Sequence, residues 1–199
     1  MRRRNYKRYK TARDSQRGKV YKFERELAQG TPSWGIMHTS HRRNYSNGTH
    51  SAWESDTPFY VSNMTEQECI KFVNKAHRWW YGDTQNKLAN VEITFANRNG
   101  SCFYLPMENK LLIRTKWGMN KDILLHELSH YIIGRSTRKE FRCQGGHGKI
   151  FMRIYATLLA RFTQHSMTEI KRVAKKHKAK MCGTKDSNGK NIRRKLKQS

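Results

Sequence analysis

The chain has 199 residues, 36% of them hydrophobic, and a formal charge of +26 with a pI near 10.3. That is enough apolar material for one packed domain with polar extensions. No run approaches the roughly 18 apolar residues of a membrane span. No apolar segment of the export-signal kind follows the basic start 1-MRRRNYKRYK-10. The expectation is therefore an intracellular protein, in cytoplasm or nucleoid, without a membrane partner.

The charge is concentrated at the ends. Residues 1–25 carry a net +9 and residues 171–199 a net +11 of the +26. This predicts a basic arm at 1–12, a mildly basic domain at 13–170 and a basic tail at 171–199. In chain order, 13-RDSQRGKVYKFERELAQG-30 reads as a helix, with Val20, Phe23 and Leu27 at helical spacing. Residues 31–62, polar and aromatic with Pro32 and Pro58, read as irregular connection. A helix follows over 65–82, opened by a Thr65/Glu68 capping box and closed by Gly82.

Three short strands come next, 91-VEITFA-96, 101-SCFYLP-106 and 110-KLLIRT-115. Asn99-Gly100 is a hairpin signal between the first two, and Asn109 a turn into the third. A helix over about 120–133 has Asn120 as N-cap and Gly134 at C′. Its apolar stripe is Ile123, Leu124, Leu128, Tyr131 and Ile132. Two more helices are expected, at about 149–164 and from about Thr168. The pattern is α+β, a small antiparallel sheet packed on helices. Four scattered cysteines (Cys69, Cys102, Cys143, Cys182), with no CxxC pair, are expected to be reduced. The tryptophans, the Trp79-Trp80 pair included, are expected in or beside the core.

Within 125-LHELSHY-131, His126 and His130 lie four residues apart on one helical face, so both imidazoles can reach one ion. Zinc accepts neutral imidazole nitrogens and prefers four-coordinate geometry. Glu127, offset by about a third of a turn, is placed to act as general base toward a water acidified by the metal. A catalytic zinc needs a third protein ligand. Ser136 stands where the metzincin pattern needs a histidine. The remaining candidates are Glu140, Cys143, Glu169 and His147. His147 is preferred, because the glycines of 145-GGHGKIF-151 let its backbone approach the metal helix.

HELSH followed by 147-HGKIF-151 resembles the HExxH…HGxxF pattern of the SprT-like zinc metallopeptidases. The segment 13-RDSQRGKVYKFERE-26 also resembles the start of a group of metallohydrolases of phages and actinobacteria. Together the resemblance covers about residues 13–165. It implies a zincin-like α+β domain, a Zn2+ cofactor held by His126, His130 and His147, and Glu127 as the catalytic base. It also implies protein substrates, in part of the family proteins bound to DNA. By analogy with zincins, 101-SCFYLP-106 or its neighbour would pair with an extended substrate. Tyr155, Arg153 and His165 are the candidates for stabilising the transition state. The cysteine-rich zinc ribbon that follows the domain in some members is replaced here by the basic tail.

The two ends carry the second signal. Clustered Lys/Arg neutralise phosphates and give sequence-independent, salt-sensitive binding of nucleic acid. Tyr6 and Tyr9 are placed to stack on exposed bases. A non-catalytic nucleic-acid-binding protein with a structural zinc, or a hydrolase acting on a non-peptide bond, are the alternatives. Composition sets no oligomeric state.

Overall fold

The computed structural model describes residues 16–29, 31, 34–44, 50–60, 62–98, 100–135 and 146–183, with 34–44 and 50–60 as backbone only. The basic arm at 1–12, most of the basic tail, Glu140 and Cys143 lie outside the described residues. Among the described residues there are five helices, a two-stranded ribbon and a three-stranded sheet. None of the helices is long and apolar enough to cross a membrane.

Helix α1 spans Gln16–Ala28 and buries Val20, Phe23, Glu24, Leu27 and Ala28. Strands β1 (Trp34–Asn44) and β2 (His50–Tyr60) then pair antiparallel over their full length, from Trp34↔Tyr60 to Asn44↔His50. This corrects the expectation of irregular connection at 31–62. Both strands of a two-stranded ribbon are edges, and an edge accommodates Pro58. Asn47-Gly48, between the strands, was the hairpin signal to read.

Helix α2 (Glu66–Tyr81) starts as its sequence dictates. Thr65 and Glu68 form the full capping box, the Glu68 N–H donating to Thr65 Oγ1 at 3.2 Å and the Thr65 N–H to Glu68 Oε2 at 2.7 Å. Gly82 ends it with φ 70°, a left-handed cap that a Cβ would oppose.

The sheet is built from β3 (Glu92–Ala96), β4 (Phe103–Leu105) and β5 (Lys110–Arg114), in the order β3-β5-β4. β3 runs parallel to β5 and β4 antiparallel to it, so the sheet is mixed, not antiparallel, and no β3–β4 hairpin forms at Asn99-Gly100. The most apolar strand takes the centre: Leu111 and Ile113 of β5 are fully buried, whereas β3 and β4 have no fully buried residue. Asn109, with φ 53°, makes the expected turn into β5.

Helix α3 (Lys121–Gly134) is the centre of the molecule, packed on α2, β4, β5 and helix α4 (Lys149–Phe162). Asn120 caps it, accepting the Ile123 N–H at 3.0 Å. The expected stripe is buried, but so is every residue from Asp122 to Ser129. Gly134 is the last helical residue and not a C′ cap. Its lack of a side chain serves another purpose: a Cβ there would lie 2.2 Å from the Tyr104 ring.

Helix α5 (Met167–Lys176) buries Ile170, Val173 and Ala174 and turns Lys171, Arg172, Lys175 and Lys176 outward. The packed core therefore runs past residue 170, where composition places the start of the tail; Ala179 is buried too. α5 packs on α1. Glu26 pairs with Lys176 and His177, each at 2.7 Å, and Gln16 exchanges hydrogen bonds with the Lys180 backbone. Cys69, Cys102 and Cys182 are free thiols. Trp80 is in the core and Trp79 at its edge, edge-on to Phe162 at 5.4 Å.

Candidate metal centre

Three elements deliver the site. α3 carries His126, Glu127 and His130; the turn just before α4 carries His147; α1 crosses over them. His130 Nε2 lies 3.2 Å and His147 Nε2 3.1 Å from His126 Nε2. The ligand atoms of the three histidines all fall within 4.8 Å of one another, and Glu127 is not among them. Phe151 explains the last letter of HGxxF. One turn into α4 from His147, it lies 4.9, 4.4 and 4.8 Å, centroid to centroid, from the rings of His126, His130 and His147. It is the shared apolar floor of the three imidazoles. The glycines beside His147 do not use left-handed backbone, since neither Gly146 nor Gly148 has positive φ. Gly146 lies against His130, a Cβ on it falling 3.5 Å from that ring.

The electrostatics are those of a buried site. Burial, reinforced by the charge of His126, holds the His130 pKa down to about 2 and the His147 pKa down to about 3. Both therefore present neutral nitrogens at pH 7. Burial also pushes His126 down, but the carboxylate of Glu24 outweighs it and the net shift is upward. A carboxylate that favours a proton on this ring equally favours a cation at its other nitrogen. Burial pushes Glu127 up to about 7, the range of a group that both takes and gives a proton. The backbone N–H of Tyr104 donates to the Glu127 carboxylate, while Glu127 Oε2 is buried without a protein partner.

These residues fit a divalent metal. His126 Nδ1 faces the Glu24 carboxylate, which can only accept, so Nδ1 carries the hydrogen. In the neutral ring Nε2 then has one lone pair, and two other Nε2 atoms stand within 3.2 Å of it. One lone pair cannot accept both, and the imidazolium that the upward shift favours has a single Nε2–H to share between two neutral acceptors. A single cation shared by three lone pairs removes the conflict. Tetrahedral zinc with Zn–N of about 2.0–2.1 Å spaces its nitrogens about 3.3–3.4 Å apart, close to the separations seen here. Charge agrees: two buried carboxylates, Glu24 and Glu127, each 5% exposed, are balanced by one dication.

The centre opens into a cleft of about 720 Å³. β4 and its flanks line one wall through Ser101, Phe103, Tyr104 and Pro106, while Arg17 and Tyr21 of α1 line another. β4 is an edge strand of its sheet. None of the three residues expected to stabilise a transition state lines this cleft. Tyr155 packs under His126 with ring centroids 5.6 Å apart, and its hydroxyl donates to the Asp122 carbonyl at 3.4 Å. The Arg153 guanidinium donates to the Cys182 carbonyl, and His165 pairs with Glu169 at 3.2 Å. That pairing also takes Glu169 away from the metal group. The polar side chains facing the cleft instead are Arg17, Tyr21, Ser101 and Tyr104. The Arg17 Nε–H donates to the Tyr21 hydroxyl at 3.2 Å, and Tyr21 meets the His147 ring edge-on at 5.1 Å.

Glu24, Arg17 and Tyr21 were not singled out by sequence reasoning. Glu24 did carry a signal. With Val20, Phe23 and Leu27 it sits at i, i+3, i+4 and i+7, so an acidic residue occupies the buried stripe of an amphipathic helix. Compared with protein-family models, curated proteins and solved structures, the chain matches none.

Proposed function

We propose that the protein is a zinc-dependent metallopeptidase of the SprT-like kind, hydrolysing peptide bonds in proteins associated with nucleic acid. The observation that carries this reading is the convergence of three histidine Nε2 atoms beside a buried, half-partnered glutamate at the mouth of an open cleft. A structural zinc is enclosed by four protein ligands, whereas a catalytic one keeps a position open. The cleft supports the second. Zinc on His126, His130 and His147 would supply a Lewis acid and an acidified water.

Glu127 takes the proton of the attacking water and delivers it to the leaving amine as the C–N bond breaks, giving a carboxylate and an amine. Its contact with the Tyr104 N–H fixes it beside β4. An extended peptide laid along that edge strand would pass its carbonyls in front of Glu127. The outward lysines and arginine of α5, continuous with the basic tail, are the part of the polyanion-binding surface that belongs to the folded domain.

The test is a Glu127→Gln variant. It should keep its zinc, lose hydrolysis and retain uncleaved protein substrates on nucleic acid. Undiminished cleavage by this variant would end the proposal. Binding of the full chain to DNA should weaken steeply with salt, and a flat salt response would remove the nucleic-acid part.

A further inference from the structure

The buried carboxylate of Glu24 belongs to a helix about a hundred residues away in sequence from the metal motif. It contacts one imidazole of the centre directly: the His126 Nδ1–H donates to Glu24 Oε1 across 102 residues of chain. Glu24 is 5% exposed and His126 5%. Two buried groups that are paired and hydrogen-bonded are tolerated, whereas either alone is costly. Tyr21, one turn earlier on α1, lies parallel to the His126 ring at 6.2 Å and edge-on to His147 at 5.1 Å. α1 therefore covers two of the three imidazoles and supplies its one buried carboxylate as the acceptor for the first.

We propose that Glu24 is a positioning residue of the metal centre, setting the tautomer and orientation of His126 and raising the affinity of the three-histidine group for zinc. The inference rests on the metal reading of that group. Accepting from Nδ1 forces the lone pair onto Nε2, the atom that faces His130 and His147. The negative charge makes that lone pair a stronger donor. Without it, His126 can place its hydrogen on Nε2 and turn a ligand into a proton-bearing neighbour. The same bond anchors α1 to the centre, so metal binding and docking of α1 are linked.

Glu26, two residues on, supplies an internal control. It faces α5 and pairs with Lys176 and His177, without contact to the three histidines. Loosening α1 through Glu26 leaves the His126 contact in place. Loosening His126 through Glu24→Gln keeps the size of the side chain and an acceptor oxygen but removes the charge.

The experiment titrates the zinc ion alone, by chelator competition, into full-length wild type, Glu24→Gln, Glu24→Ala and Glu26→Gln. Glu24→Gln should bind zinc about 10- to 100-fold more weakly, Glu24→Ala more weakly still, and Glu26→Gln like wild type. Zinc should also slow amide exchange across α1 in wild type and not in Glu24→Gln. Equal affinity in wild type and Glu24→Gln would overturn the role of Glu24 while leaving the metal site standing. Equal losses in Glu24→Gln and Glu26→Gln would show that α1 acts only by packing, which also overturns it. A wild type without measurable zinc affinity would overturn the metal reading itself. If Glu24→Ala does not fold, the isosteric Glu24→Gln still decides the outcome.

Discussion

Two buried histidines of this protein look alike at first. His126 pairs through Nδ1 with Glu24, and His165 pairs through Nδ1 with Glu169; each residue is 5% exposed. The difference lies at the other nitrogen. His126 Nε2 faces two further imidazole nitrogens within 3.2 Å, at the edge of a cleft. His165 Nε2 is buried without a hydrogen-bond partner and belongs to no group of metal-ligating side chains among the described residues. A carboxylate–imidazole pair is thus a structural device that chemistry can borrow. Convergence of several lone pairs on one point makes a site.

The strongest way to break this comparison is at Glu127, which has no counterpart beside His165. Glu127→Gln should cut hydrolysis by about 10²–10⁴-fold, the usual contribution of a positioned general base, with zinc content unchanged. Steady-state cleavage and metal analysis on one preparation check both halves.

Acid should separate the metal-free protein from its zinc form. Burial holds His77 down to about 4, His147 to about 3 and His130 to about 2. Each folded-state value lies below the ordinary imidazole value of about 6.5. The unfolded chain therefore binds more protons in this window, and stability rises with pH through it. Glu127, raised to about 7, and His126, raised by Glu24, act with the opposite sign. The metal-free protein should therefore be most stable at about pH 6.5 and weaken as pH falls below it, the three lowered histidines outweighing the two raised groups. Urea midpoints between pH 7.5 and 4 would show it, and His77→Gln should flatten the slope.

Packing offers a smaller test. Gly134→Ala forces a Cβ into the Tyr104 ring and should cost about 1–3 kcal/mol by overpacking. It should also lower activity, since Tyr104 lines the cleft and holds Glu127. Thermal unfolding and cleavage rates of the variant measure the two effects. The smallest effect is expected at the other pair: His165→Gln should leave zinc affinity unchanged, as chelator competition would show. A drop in affinity there would erase the distinction between the two histidines.

Part of the site was legible in the chain itself. His126 and His130 follow from four-residue spacing on a capped helix, and His147 from its glycine flanks with Phe151 a turn later. All three meet as expected. Local rules also gave the capping box at Thr65, the turn at Asn109 and the helical span of α1. What escaped is what depends on distant partners. β5 takes the centre of the sheet because Leu111 and Ile113 form its fully buried face while its other face is half-buried, a fact no dipeptide signal at Asn99-Gly100 contains. The hairpin at 34–60 was hidden by Pro58 and by polar composition. Glu24 is recognisable as an acidic residue on an apolar stripe, but its partner is 102 residues away. Arg17 and Tyr21 reach the cleft only because α1 folds over α3.

The most direct test of the central claim is the zinc content of the purified full-length protein beside that of His147→Ala. One zinc per chain in wild type, lost in the variant, is the predicted result. Wild type without stoichiometric zinc, or a His147→Ala variant that keeps it fully, would contradict the three-histidine centre.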